Sequence, residues 1–139
     1  MSKYFSFNEM WQSATADKLG IDNKPSPEIT MHLGELATDL DEIREAWGSG
    51  IIVSSGYRCD ALNAAVGGSK TSAHVTGYAA DLQPKNGKIE EFKAFIVNYL
   101  KNRKFDQCLL EASGKTQWVH YGKFNRKGQQ RGQIFSLEV

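Results

Sequence analysis

Residues 72–81 read Ser72-Ala-His74-Val-Thr-Gly77-Tyr-Ala-Ala-Asp81, a stretch that holds two side chains able to bind a metal. Zinc is bound in proteins by imidazole nitrogen and carboxylate oxygen, which His74 and Asp81 supply. Gly77 lets the chain turn back between them, because glycine adopts backbone conformations that other residues avoid. The run 79–82 then predicts a short strand, so that Asp81 lies on a strand and His74 lies in the loop before it.

A third candidate ligand, His120, lies in a predicted hairpin whose strands are residues 107–111 and 117–121. Catalytic zinc commonly has three protein ligands and one position open to water, and His74, Asp81 and His120 meet that number. A hydrogen-bonded pair of His74 and Asp81, with His120 unrelated to it, fits the spacing equally well. In that second case the chain would be an ordinary structural domain.

Helices are predicted mainly in the first half of the chain. Ser26 is a suitable N-cap, Pro27 suits the first helical position, and Gly48 ends the helix. Between them, apolar residues recur at intervals of four and three, as on one helix face: Ile29, Leu33, Leu36, Leu40, Ile43 and Trp47. A second amphipathic helix is predicted over residues 89–100, whereas the polar stretch 13–24 is predicted to be a connector.

Strands are predicted mostly later in the chain. Besides those named above, residues 51–54 form a β-branched run, and residues 131–139 add a last strand. Because helices come first and strands follow with little alternation, the pattern predicts an α+β fold with a small antiparallel sheet and helices packed on it. The length, without a repeat or a linker, predicts a single domain over residues 1–139.

Composition argues against several classes of function. The 17 basic and 16 acidic residues give a net charge of +1, which provides no electrostatic footprint for nucleic acid. No apolar run approaches the ~18 residues of a membrane span, and the N-terminus lacks the apolar region of a signal peptide. We therefore expect a monomer that is cytoplasmic as synthesised and does not insert into a membrane. The two cysteines, Cys59 and Cys108, are expected to be reduced thiols.

Further segments accompany this pattern: Ser54-Ser-Gly-Tyr-Arg58, Asn63-Ala-Ala-Val-Gly-Gly68, Phe105-Asp-Gln107 and Trp118-Val-His120. Together with residues 69–82, they resemble the zinc D-Ala-D-Ala carboxypeptidase and L-alanyl-D-glutamate endopeptidase family (peptidase family M15), in particular its phage and prophage branch. The resemblance implies a Hedgehog/D-Ala-D-Ala peptidase-like fold with Zn2+ held by His74, Asp81 and His120. It also implies cleavage of peptidoglycan stem peptides, either after D-Ala or between L-Ala and D-Glu, by a phage or prophage lysin that reaches the cell wall during lysis.

The resemblance assigns two supporting residues. Arg58 would hold a substrate carboxylate or stabilise charge on the carbonyl oxygen, since a guanidinium is always charged and offers five donors. Its alternative is a surface arginine that follows a strand. Ser72 would bind the substrate backbone, and its alternative is a hydroxyl that caps the loop before His74.

One position departs from the family pattern. Family members carry a glutamate three residues before the last histidine ligand, where it takes up and returns a proton during hydrolysis, and this chain has Gln117 there. An amide cannot carry a proton at neutral pH. Glu111 could substitute, because a hairpin centred on Gly114 would place it opposite Gln117. The chain could instead be a zinc-containing peptidoglycan-binding module with little activity, or an engineered inactive variant, and the sequence leaves these alternatives open.

Overall fold

The computed structural model of the chain describes residues 2–139. Within that range, the α-helices are α1 (Ala14–Leu19), α2 (Pro27–Trp47), α3 (Asp60–Ala65) and α4 (Ile89–Leu100). The strands are β1 (Ile51–Ser55), β2 (Ala79–Pro84), β3 (Gln107–Ser113), β4 (Thr116–Gly122) and β5 (Gln133–Glu138). Short 3-10 helices span Asn8–Met10 and Ala73–Thr76. The predicted α+β class is confirmed.

The five strands form one sheet in the order β1-β2-β4-β3-β5. The first three neighbouring pairs are antiparallel, as predicted, whereas β5 lies parallel to β3. The end of β4 lies beside the start of β3, so the connection 123–132 places the start of β5 beside the start of β3 as well. Backbone hydrogen bonds from Gly132 to Phe105 and from Gln133 to Asp106 then align β5 with β3. The result is a mostly antiparallel sheet.

The core lies between one face of this sheet and the helices α2 and α4. Helix α2 begins after the cap Ser26, whose side chain accepts a hydrogen bond from the N–H of Ile29, and it ends at Gly48. The buried members of its predicted stripe are Leu33, Leu36, Leu40 and Ile43. Helix α4 contributes Phe92, Ile96 and Leu100, and the sheet contributes Ala80, Leu82, Val119 and Tyr121. Among residues 2–139, no helix is both long and apolar enough to cross a membrane.

The prediction that residues 13–24 form only a connector is wrong, because α1 lies within them. Ser13 caps this helix, accepting a hydrogen bond from the N–H of Ala16 at 3.1 Å, and Gly20 ends it. Ala16 is buried against the rest of the domain. A helix of six residues presents too few apolar positions for a periodic pattern, so only its two caps mark it in the sequence.

Both cysteines are free thiols, as expected from the sequence. Cys108 lies in the core, and burial raises its pKa to about 12. A buried thiol with so high a pKa is chemically inert, since the thiolate is the reactive form.

Candidate metal centre

The alternation of side chains along the sheet separates the polar site from the core. Ala80 and Leu82 on β2 point into the core and are fully buried, so Asp81 between them points to the opposite face. Asp81 lies directly across from His120 on β4. Residues paired in this way project from the same face, which brings the Asp81 carboxylate and the His120 imidazole together.

His74 reaches the same place from outside the sheet. It lies on the 3-10 helix Ala73–Thr76 rather than in an irregular loop, and Gly77 with φ 82° turns the chain from this helix into β2. Its Nδ1 atom lies 2.7 Å from the carbonyl oxygen of Gly56. Because a carbonyl oxygen only accepts, Nδ1 carries the proton and Nε2 keeps a free lone pair. That contact fixes both the ring orientation and the tautomer, as is usual for histidine ligands.

Three possible ligand atoms meet at this point. Asp81 Oδ1 lies 3.3 Å from His74 Nε2 and 3.1 Å from His120 Nδ1, and all three atoms lie within 4.8 Å of one another. The two imidazole rings are 4.9 Å apart, so the alternative in which His120 is unrelated to the pair is wrong. His74 Nε2 is buried without a hydrogen-bond partner. An unpaired buried lone pair beside a carboxylate and a second imidazole fits a divalent cation such as zinc.

The protonation states also suit a metal. Burial alone would raise the pKa of Asp81, but His74 and His120, in their protonated forms, outweigh it and hold that pKa well below its usual range. Burial lowers the pKa of His74, more strongly than the nearby Asp81 charge raises it. Both shifts favour the forms that ligate metals, an ionised carboxylate and a neutral imidazole.

Arg58 lies in the loop after β1, where its N–H donates to the carbonyl oxygen of His74 at 3.1 Å. Burial lowers its pKa, while the charges of Asp81 and Glu111 raise it, and the guanidinium remains a cation. Space for this side chain depends on Gly68. A Cβ at that position would lie 3.2 Å from Arg58 Nη1 and 2.0 Å from the side-chain oxygen of Asn63.

The hairpin places Glu111 one position away from the predicted register. Ser113 pairs with Thr116, so Glu111 lies opposite Trp118 and not opposite Gln117. Glu111 therefore projects from the same face as His120. Burial raises the pKa of Glu111, and the Asp81 charge raises it further. A carboxylate in this position can exchange a proton with a substrate bound at the three ligands.

Gln117 does not face the candidate ligands. It pairs with Ala112 and contacts the ammonium group of Lys93 on α4, which lies on the helix-covered face of the sheet. It is separated from His120 by an odd number of strand positions, so the two side chains point to opposite faces. The expectation that Gln117 occupies the proton-transfer position next to the metal is therefore wrong in this geometry.

Comparison with known families agrees with this geometry. Residues 3–122 match the family model described as Peptidase M15. The chain belongs to the M15 peptidase family. No curated protein matches it closely enough to count as a relative.

In this member of the M15 family, most of the candidate residues line one open cavity of about 560 Å³. The side chains around it include Arg58, Ser72, His74, Asp81, Glu111, Trp118 and His120. Ser72 also caps the 3-10 helix, since its hydroxyl accepts from the N–H of His74 at 3.2 Å. The capping role considered for Ser72 is thus present in the structure, and its place on the cavity wall leaves it within reach of a ligand.

Asn23 supports the M15 site and was not predicted from the sequence. Its side-chain nitrogen donates to the carbonyl oxygens of Trp11 at 2.6 Å and Tyr57 at 3.0 Å, and its oxygen accepts from the N–H of Cys59 at 2.8 Å. These bonds fix the backbone on both sides of Arg58. An asparagine in a polar stretch before Lys-Pro carries no periodic signal, so only the folded structure identifies this role.

Gly56 also helps to hold the site together, through contacts that only the folded structure shows. A Cβ there would lie 2.0 Å from the carbonyl oxygen of Met10, so any larger residue would push the N-terminal segment away. The same glycine supplies the carbonyl oxygen that holds His74. Gly56 lies in the Ser-Gly-Tyr-Arg segment that contributes to the family resemblance, but the sequence did not predict its contacts.

Proposed function

We propose that this M15 family member is a zinc peptidase that hydrolyses peptidoglycan stem peptides. The observation that carries the proposal is the convergence of His74, Asp81 and His120 in a cavity that also contains Glu111 and Arg58. Hydrolysis of a peptide by a metal site uses three kinds of group that are present here: atoms that bind the metal, a carboxylate able to exchange protons, and a positively charged side chain. Family membership supports the same reaction class.

His74, Asp81 and His120 would hold the zinc ion. When bound, zinc supplies Lewis-acid polarisation of a carbonyl and lowers the pKa of water. In the proposed reaction, Glu111 accepts a proton from the attacking water and delivers it to the nitrogen of the leaving amine. Its raised pKa, caused mainly by burial, suits a group that must both take up and release a proton.

Arg58 is proposed to stabilise the negative charge that develops on the carbonyl oxygen of the scissile bond, or to hold a substrate carboxylate. Its side chain lines the cavity beside the candidate ligands, where the charges of Asp81 and Glu111 act on it. A planar guanidinium can donate two parallel hydrogen bonds to a carboxylate or to a developing oxyanion. Ser72 is proposed to contact the substrate backbone from the same cavity wall.

A non-catalytic zinc module that binds peptidoglycan is the alternative function. This alternative was suggested because Gln117 stands where the family pattern has a catalytic glutamate. In the structure, Gln117 lies on the face of the sheet opposite the candidate ligands. Since Glu111 lies in the cavity, the substitution at position 117 no longer argues for lost catalysis. We further propose, from the resemblance alone, that the protein acts as a monomeric phage or prophage lysin on the cell wall.

The test is hydrolysis of purified peptidoglycan by the zinc-loaded protein. We expect new amino groups to accumulate, with peptide fragments identified by mass spectrometry, and we expect the Glu111→Gln protein to release almost none at equal zinc content. The metal-free protein provides a second control. Binding of the wild type to peptidoglycan without any release of amino groups would instead support the binding-module function.

A further inference from the structure

Positive charge is concentrated late in the chain. Residues 112–137 hold five of the 17 basic residues and none of the 16 acidic ones, although the net charge of the whole chain is only +1. This segment includes the connection 123–132 between β4 and β5, which contributes Asn125 and Arg131 to the wall of the cavity that holds the candidate ligands, the metal cavity. A basic segment therefore forms part of the border of this cavity.

The connection contains a tight turn, residues 125–129. The side-chain oxygen of Asn125 accepts hydrogen bonds from the N–H groups of Lys127 at 3.0 Å and Gln129 at 2.8 Å. Arg126 and Lys127 are exposed on this turn, directly after Asn125, which lines the metal cavity. Their charges are thus held beside the cavity by the hydrogen bonds of the turn.

A second turn, residues 69–72, lies against the first. A backbone hydrogen bond of 3.0 Å joins its last residue to its first, and both of these residues line the metal cavity. Arg126 connects the two turns, because its guanidinium donates to the carbonyl oxygen of Lys70. We call the exposed side chains of Lys70, Arg126 and Lys127 the cationic rim.

The rim differs from the cations inside the cavity, each of which has a carboxylate of the chain near it. Arg131 is paired with the buried Asp106. Arg58 is subject to the charges of Asp81 and Glu111. Among residues 2–139, by contrast, no side chain of the rim forms an ion pair with a carboxylate. The rim is therefore a group of cations at the cavity border whose charge is not balanced by an ion pair within the described chain.

We propose that the cationic rim binds a carboxylate that the substrate peptide carries away from the bond to be cleaved. This inference rests on the proposed peptidase function and adds to it a preference for negatively charged substrates. A stem peptide supplies such a group, since a D-Glu residue linked through its γ-carboxyl keeps its α-carboxylate free. Attraction between exposed charges acts over about 10 Å in ordinary buffers, so the rim would speed the approach of the peptide and help to orient it.

A phosphate polymer of the cell wall would also be attracted to cations. The rim, however, has only three cations, and they lie on two turns at the border of one cavity. That arrangement suits one carboxylate of a peptide bound in the cavity better than a long polyanion, which requires an extended basic surface. The proposal therefore commits to the substrate peptide.

The test uses the peptide N-acetyl-L-Ala-γ-D-Glu-L-Lys-D-Ala-D-Ala and three amidated forms of it, modified at the α-carboxylate of D-Glu, at the C-terminus, or at both. We expect amidation to lower kcat/KM of the wild type about three- to tenfold at low salt, the effect of losing one or two exposed charge pairs. High salt should remove most of this difference, because it screens exposed charges.

The rim variant is Lys70→Gln with Lys127→Gln, which removes two charges and keeps Arg126 to join the turns. It should cleave the free peptide about three- to tenfold less well than wild type and should no longer distinguish the free from the amidated peptides. The matched control, Lys101→Gln with Lys104→Gln, loses the same charge at exposed positions that do not line the metal cavity, and it should behave as wild type. A preference for the free carboxylate that survives in the rim variant would overturn the inference.

Binding to zinc-loaded Glu111→Gln protein, measured by calorimetry, separates this inference from the proposed function. If the wild type cleaves none of the peptides, but the rim variant placed in the Glu111→Gln protein loses the preference for the free peptide in binding, the peptidase function fails and the rim stands. Equal cleavage of all the peptides by the wild type would overturn the inference while the peptidase function stands. Unchanged peptide kinetics in the rim variant, with weaker binding only to cell walls that carry teichoic acid, would also overturn it and assign the rim to phosphate.

Discussion

The indole N–H of Trp118 donates a hydrogen bond to Oε2 of Glu111 across the β3–β4 pair. The two residues lie directly opposite each other, and both line the metal cavity. The bond holds one carboxylate oxygen of Glu111 in place. Trp118 is therefore a positioning residue for the proposed proton transfer.

We predict that Trp118→Phe, which keeps an aromatic ring but loses the N–H, lowers kcat about ten- to hundredfold. That range corresponds to losing one hydrogen bond to a charged group. KM and zinc content should change little, as steady-state kinetics and elemental analysis can establish. The control is Trp47→Phe, since the indole N–H of Trp47 is buried without a partner. Equal losses of kcat in the two variants would mean that Trp118 acts only through packing.

The carboxylate itself provides the second prediction. Glu111→Gln should reduce turnover by about 10²–10⁴-fold, the usual contribution of a general acid–base group, at unchanged zinc content. Gln117→Glu should give no gain in activity, because position 117 faces Lys93 on the other side of the sheet. The assay is stem-peptide cleavage by both variants at equal zinc occupancy. A substantial gain from Gln117→Glu would show that the hairpin register differs in the working enzyme.

Zinc binding provides the third prediction. We expect one zinc ion per chain, and at free zinc a hundredfold above Kd the ion should stabilise the fold by about 2.7 kcal/mol. The variants His74→Ala and His120→Ala should lose this stabilisation by zinc. Thermal unfolding of each protein, measured with zinc and with a chelator, gives the difference. His32→Ala is the control, because this remaining histidine of the chain contacts the carbonyl oxygen of Thr76 and lies outside the ligand group. Full zinc retention by a His74→Ala, His120→Ala double variant would contradict the site.

The three candidate ligands could be predicted from the sequence because their residue types suit a metal and the family resemblance favours this set over an unrelated His120. His74 and Asp81 flank a glycine turn, and a strand pattern places His120 nearby. Glu111 could be predicted as a candidate for proton transfer, but its place opposite Trp118 could not, since one position of hairpin register decides whether a side chain faces the candidate ligands or the core. A turn centred on Gly114 would pair Glu111 with Gln117, one position away from the observed pairing of Glu111 with Trp118.

The long helices and most strands could also be predicted, because their apolar periodicity extends over several turns or residues. Helix α1 could not, since its length of six residues gives no period. Nor could the supporting contacts of Asn23 and Gly56, which join segments more than ten residues apart in sequence. Such contacts depend on the tertiary fold, and a single sequence contains no local signal for them.

The fourth prediction concerns Asn23. Asn23→Ala would leave three backbone groups in the partly buried loop around Arg58 without their partners, so we expect a loss of about 1–3 kcal/mol in unfolding free energy. Because the loop would loosen, the activity should also fall. Asn98→Ala, at an exposed position on α4, is the control and should change stability by less than about 0.5 kcal/mol. Chemical denaturation of both variants measures the difference, and equal stability would remove Asn23 from the support of the site.

The last prediction compares two arginines that line the same cavity. Arg131 is committed to the buried Asp106, with its Nε at 2.7 Å and its Nη2 at 2.9 Å from the two carboxylate oxygens. Arg58 instead has a buried Nε without a partner. A lysine keeps the charge but loses the planar set of donors, so each Arg→Lys change tests what that geometry is used for.

We predict that Arg58→Lys lowers kcat/KM about tenfold or more and leaves unfolding nearly unchanged, because in the proposed function the guanidinium contacts the substrate and not a carboxylate of the chain. Arg131→Lys should do the reverse, with near-normal turnover and a loss of about 1–3 kcal/mol, since a buried carboxylate loses one of two charge-assisted bonds. Steady-state kinetics and denaturant unfolding of both proteins provide the comparison. If Arg58→Lys kept full activity, Arg58 would be excluded from charge stabilisation and would act only as part of the cavity wall.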